Sequence, residues 1–216
     1  MEMLLPLLGF VVVGTVTPGP NNFMVLASGA NWGLARTMPH VLGISLGFPV
    51  MIIAAGFGIG IAFNAVPALE PILKCAAFAY VLWLAWKLAR AGRPQGRYGA
   101  GRPLTLLQAA AFQWVNPKAW ALVFSAIPLF TTAGGNNVVE IGLIALLFGL
   151  VCLPNCVAWG LFGQSVADFL ADDRRRRVFN IAMAVLLVLS VLPTLIFGNT
   201  SRGGAKSRFH SAVSVA

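Results

Sequence analysis

Apolar residues run almost unbroken through six stretches of this chain, at about residues 4–27, 41–63, 68–87, 104–130, 138–166 and 178–197, separated by short polar or basic connections. A helix of roughly 20 apolar residues crosses a hydrocarbon core about 30 Å thick. The pattern therefore predicts an all-α integral membrane protein of six transmembrane helices. Two stretches are interrupted, the first by Thr17-Pro18-Gly19-Pro20-Asn21-Asn22 and the fourth by Gln113-Trp114-Val115-Asn116-Pro117-Lys118. In the first, two prolines remove two backbone donors, and Pro20 clashes with the carbonyl four residues back, so regular helix stops. Unpaired backbone in lipid costs several kcal/mol per group, so such breaks belong inside protein or beside a water-filled cavity. We expect half-helix junctions lining a transport pathway. A proline kink used only for packing is the structural alternative, but Pro-Gly-Pro followed by two asparagines is more polar than a kink needs.

The connections carry their own expectations. Ser28 to Gly33 is small-residue and polar and is predicted to be a loop, with Arg36, Pro39 and His40 preceding the second span and His40 in an ordinary surface role. Gly43-x-x-x-Gly47 in that span predicts a face where helix backbones approach closely, and exposed faces of this kind favour a homo-oligomer. Asn64 to Pro67 fits only a tight turn, so the second and third spans form a hairpin. Glu70 and Lys74, four apart, open the third span as a self-neutralising pair. Near its end Tyr80, Trp83, Trp86, Lys87 and Arg90 read as an interfacial belt. Residues 90–102, with arginines among Gly and Pro, predict a flexible loop, and residues 198–216 a disordered tail.

Composition excludes the soluble classes. The chain is 58% hydrophobic and 10% charged, with a mean hydropathy of +0.83, where a soluble domain carries about a quarter charged residues. Its net charge of +9 is concentrated in the connections, which points to orientation in the lipid bilayer and not to nucleic acid. The first, third and fifth connections hold the Lys and Arg, so they are expected in the cytoplasm and both termini outside. The start lacks a basic n-region, so no signal peptide is expected. Cys75, Cys152 and Cys156 all lie in apolar runs, and no disulfide framework is indicated. The spans offer no His/Asp/Glu cluster for a metal and no nucleophile–base pair. No cofactor is implied, no catalytic residue is assigned, and the chain is not read as an enzyme.

Residues 1–197 are expected to form one membrane unit of two halves, about 4–90 and 104–197, each opening with a broken helix. The offset from Pro18 to Pro117 is 117 − 18 = 99, and that from Gly43 to Gly142 is 142 − 43 = 99. Three spans per half force opposite orientations, so the halves are read as an inverted repeat with its site at mid-membrane. Lys118, within an apolar span, should face an interior cavity. An ammonium beside two half-helix N-termini is a receptor for a carboxylate, while Asn21, Asn22 and Asn116 suit a zwitterion and Gln113 a polar side chain. The implied substrate is small and amino-acid-like. A lysine that merely caps carbonyls freed by the break is the competing reading.

Taken together, Thr17-Pro18-Gly19-Pro20-Asn21-Asn22, Gly33-x-x-Arg36-x-x-Pro39-x-x-x-Gly43-x-x-x-Gly47, Ala79-Tyr80 with Trp83, and Asn116-Pro117-Lys118-Ala119 resemble the LysE/RhtB amino-acid exporters over about residues 4–197. The resemblance implies a secondary exporter of amino acids or small derivatives in the bacterial inner membrane, driven by the proton motive force. The extended first motif looks most like the branch exporting cysteine and O-acetylserine. Two stretches depart from the family pattern: Pro128-Leu129-Phe130 stands where Pro-Gln-Phe is usual, and Phe112 to Trp114 replaces a smaller approach. Substrate-binding candidates are Thr17, Pro18, Gly19, Pro20, Asn21, Asn22, Gln113, Asn116, Pro117 and Lys118. With the proton as coupling ion, Glu70 and Tyr80 are its candidate carriers. A metal-ion exporter of the same broad superfamily and a membrane thiol–disulfide electron carrier are the alternatives.

Overall fold

A computed structural model describes residues 4–59, 69–90, 102–132 and 137–197. The described residues are helical apart from short connections. The helices are α1 (Leu4–Val16), α2 (Pro20–Trp32), α3 (Leu34–Ala54, extended by a π-helical turn at Ala55–Ile59), α4 (Leu69–Ala89), α5 (Leu106–Gln113), α6 (Pro117–Phe130), α7 (Asn137–Ser165) and α8 (Asp173–Phe197). Segments Leu34–Gly58 and Val138–Ser165 are each long and apolar enough to cross a membrane, and α1 with α2, bent by 54° at their break, together make a third. The expected turn at Asn64 to Pro67, most of the 90–102 loop and the 198–216 tail lie outside the described residues.

Both expected breaks are present, and their chemistry is local. Thr15 and Thr17 turn their hydroxyls onto the carbonyls of Val11 and Val13 at the end of α1, and α2 restarts with Pro20 in its first turn, where a missing N–H costs nothing. Thr105 and Gln108 close a capping box on α5, and Asn116 caps α6 by accepting from the Lys118 N–H at 3.1 Å, with Pro117 following.

Three expectations need correction. Ser28 to Trp32 are helical, and only Gly33, at φ 78°, turns the chain into α3, which starts at Leu34 and not near Val41. The small residues there serve packing: a Cβ on Gly29 would overlap the Gly160 carbonyl of α7. His40 is consequently a buried residue within α3, 1% exposed, with Nδ1 3.2 Å from Ser28 Oγ. The Gly43/Gly47 face does mediate close packing, but inside the chain. Cβ atoms at those positions would meet the Leu106 backbone, Ala109 and Ala110 of α5, so this face is not open to a second copy.

The core divides in two. One apolar cluster joins Leu7 and Val11 of α1, Phe48 to Ile52 of α3, Ala119 to Ala126 of α6 and Ile141 to Phe148 of α7. The other joins Met24 and Val25 of α2, Val41 and Ile44 of α3, Val81 to Ala85 of α4, Ala109 and Phe112 of α5, Cys152 and Cys156 of α7 and Leu187 of α8. Helices α3 and α7 thread both clusters in opposite directions: Leu34 meets Gly160, Pro49 meets Gly149, and Gly56 meets Ile141. Basic connections gather at one end of the molecule, where Arg176 of α8 donates to Asn31 Oδ1 at the end of α2 and Gln164 accepts from the Leu34 N–H.

Candidate functional site

The helix breaks sit side by side where the two apolar clusters abut. Asn21 Nδ2 donates to Gln113 Oε1 at 2.9 Å, and Gln113 Nε2 donates back to Asn21 Oδ1 at 3.3 Å and to the Ala109 carbonyl at 2.9 Å. The Thr15, Val16 and Thr17 carbonyls released at the end of α1 are met by side chains. Asn22 Nδ2 donates to Thr15 O and Thr17 O, both at 3.0 Å, Asn155 Nδ2 donates to Thr15 O at 2.9 Å, and Lys118 Nζ donates to Thr17 O. On the second break, Trp120 Nε1 donates to Trp114 O at 2.8 Å. Each such bond meets the demand that backbone opened inside a membrane be satisfied within the protein.

The space enclosed is about 20 Å3, bordered by Gly19, Asn21, Asn22, Asn116, Lys118 and Asn155 among others. That is room for about one water and not for an amino acid. The junction is therefore closed around its own hydrogen bonds, with the Lys118 ammonium spent on a backbone carbonyl. Gln113, Asn116 and Asn22 are buried, Asn21 and Lys118 half-buried, and the Thr17 side chain and Pro18 exposed. Gly19 leaves the space that Lys118 uses, since a Cβ there would stand 2.6 Å from Lys118 Cδ. The N-termini of α2 and α6 both open here, which adds their positive dipole ends to the one ammonium.

Ten substrate-binding candidates were expected from the sequence, and the structure brings them to one layer. Pro18, Pro20 and Pro117 contribute by ending or starting helices, and Thr17 by its carbonyl. Of the proton-carrier candidates, Tyr80 packs on Phe112 and stacks on Trp83, outside the residues that border the junction, and the Glu70 side chain lies outside the described part. Thr15, Phe48, Cys152 and Asn155 also border the junction without having been expected. Asn155 had a signal, Pro154-Asn155 inside an apolar run, yet α7 passes through it unbroken. Cys152 and Cys156 Sγ atoms lie 3.7 Å apart and, like Cys75, are free thiols. Among the described residues no group of three His, Cys, Asp or Glu could hold a metal.

Comparison with known proteins bears on what this junction handles. The family model described as LysE type translocator matches residues 12–193. The protein named cysteine/O-acetylserine efflux protein in Escherichia coli strain K12 is 29% identical over 180 residues, covering 83% of this chain and 90% of that protein. Proteins of the same name in Shigella flexneri and Shigella sonnei match with the same identity and coverage. No solved structure matches the chain.

Proposed function

The chain belongs to the LysE-type translocator family, a family of membrane transporters and not of enzymes, and on that premise we propose that it exports small amino acids or their derivatives, with cysteine and O-acetylserine the first substrates to try. One observation carries the reading: Lys118, the Asn21–Gln113 pair, Asn22 and Asn155 converge at two helix breaks between two apolar clusters. A substrate carboxylate competes with the Thr17 carbonyl for the Lys118 ammonium and takes its charge-assisted bond. The substrate ammonium then finds acceptors in Asn21 Oδ1 and the carbonyls at the end of α1. Because the closed junction holds about one water, admission requires the half-helices to part.

The proposed motion is rocking of two inverted three-helix halves within one unit. Support comes from the opposed courses of α3 and α7, and from α1 and α6 sharing one apolar cluster while α2 and α5 share the other. Export is driven by the proton motive force, with Glu70 and Tyr80 as candidate carriers, across the bacterial inner membrane. The basic connections face the cytoplasm and the termini the periplasm, and self-association uses surfaces other than the Gly43/Gly47 face.

Amino-acid profiles inside and outside cells overproducing the protein test the proposal. A selective rise of cysteine-related amino acids outside supports it, and an unchanged profile across all amino acids overturns it. In energised vesicles a protonophore is expected to stop the movement, and unchanged transport removes the proton as coupling ion.

A further inference from the structure

A second cavity, of about 230 Å3, opens where the basic connections gather. Its wall includes Ser28 and Trp32 of α2, His40 of α3, Lys87 and Arg90 at the end of α4, and Arg102 ahead of α5. It has an order of magnitude more room than the closed junction. Two buried ring nitrogens in this wall, His40 Nε2 and Trp32 Nε1, have no hydrogen-bond partner. Orphaned polar atoms of this kind are costly and call for an explanation.

The charge around the cavity is as one-sided. No carboxylate among the described residues is within ion-pair distance of Lys87, Arg90 or Arg102; the described pair, Arg175 with Asp172, is elsewhere. Lys87 and Arg90 lie instead over the rings of Trp83 and Trp86, at 4.8 and 4.5 Å from the centroids. Stacking occupies the face of a guanidinium and leaves its in-plane N–H edges for an oxyanion. An apolar occupant would leave the cations and both ring nitrogens unanswered. A small carboxylate with further polar groups answers all of them.

Helix α2 joins this cavity to the junction. Asn22 borders the junction and Ser28 the cavity, six residues and about 9 Å along the helix axis. We propose that the cavity is an entry site, where Arg90 and Arg102 hold the carboxylate of the exported amino acid, and its polar groups reach Trp32 and His40, before it passes to Lys118. This rests on the export reading above.

The test uses full-length protein in phosphatidylcholine vesicles, with O-acetylserine and its carboxylate-free analogue O-acetylethanolamine as probes, read by transport kinetics and tryptophan fluorescence. Arg90→Gln with Arg102→Gln, exposed positions whose change spares the core, is expected to raise the KM for O-acetylserine about tenfold with maximal rate held within about twofold. Any response to O-acetylethanolamine should be the same in both proteins. A KM unmoved by the double substitution, with wild-type transport intact, overturns the entry site only. Absence of O-acetylserine transport in the wild type together with an unchanged export profile across all amino acids sinks the export reading and the entry role with it, and absence of O-acetylserine transport alone overturns the entry role for this substrate. A fluorescence change on adding phosphatidylglycerol that O-acetylserine cannot compete would make this a lipid phosphate site and overturn the proposal.

Discussion

Asn21 and Gln113, 92 residues apart in sequence, exchange both amide hydrogen bonds across the two helix breaks, at 2.9 and 3.3 Å. Removing either partner leaves a buried or half-buried amide short of a bond, a loss of about 1–3 kcal/mol before relaxation, whereas interhelical bonds measured in membranes average about 0.6 kcal/mol. Asn21→Ala, Gln113→Ala and the double variant should therefore show a coupling near 1 kcal/mol in an unfolding double-mutant cycle. Strictly additive effects would mean that the two breaks do not hold each other.

Lys118 separates capping from binding. Its carbonyl partner, Thr17 O, keeps Asn22 Nδ2 at 3.0 Å when the lysine is gone, so Lys118→Met should cost less than about 1 kcal/mol of stability. If the ammonium also receives substrate, export should nonetheless fall by about tenfold or more. Lys118→Arg should not restore it, because a planar fork does not fit where a point charge sat. Normal export by Lys118→Met would return the residue to a capping role.

Gly19 is constrained by that lysine and not by its backbone, which is extended at φ −171°. An added methyl would stand 2.6 Å from Lys118 Cδ and 3.2 Å from Nζ, and only a flexible side chain has to yield. Gly19→Ala is expected to fold normally and to raise the KM for export about tenfold by displacing the ammonium. A wild-type KM would show that the position of the ammonium does not matter to the substrate.

The breaks are legible in the sequence because Pro-Gly-Pro-Asn-Asn and Asn-Pro-Lys cluster several helix-ending and polar residues inside an apolar run, whereas a single Pro49 or Pro154 sits within a continuous helix. Asn155 bonds the same Thr15 carbonyl as Asn22, yet a lone Pro-Asn pair in an apolar run does not mark it, and only the packing of α7 on α1 reveals its partner. The burial of His40 is illegible in the sequence for a related reason. Glycine, alanine and serine read equally well as a loop or as a close helix contact, and at Ser28 to Trp32 the contact with α7 decides. The equal offsets of 99 also carried mixed information. Pro18 and Pro117 meet in one layer, whereas Gly43 is tightly packed and Gly142 has open space beside it.

Thiol chemistry can be tested without disturbing the junction. Cys152 borders it, but a dithiol needs Cys156 as well, and the pair at 3.7 Å is two free thiols. Cys75→Ala with Cys156→Ala removes every pair a disulfide could use while keeping Cys152. Export within about twofold of wild type is expected, since two such small changes cost little. Loss of export with the folded protein retained would favour a thiol–disulfide carrier.

Gly43 tests the scaffold that holds the α5 half of the site. A Cβ there would meet the Leu106 backbone and Ala109, and backbone cannot swing aside as Lys118 can beside Gly19. Overpacking of this kind costs about 1–3 kcal/mol for each misfit group, so Gly43→Val should lower the unfolding temperature and carry α5, with Gln113, away from Asn21. Its transport defect should be partly recovered by Ala109→Gly, which clears the one side-chain contact, and left unrecovered by a distant stabilising change. A Gly43→Val protein that is fully stable but changes oligomeric state would instead place this face between copies of the chain.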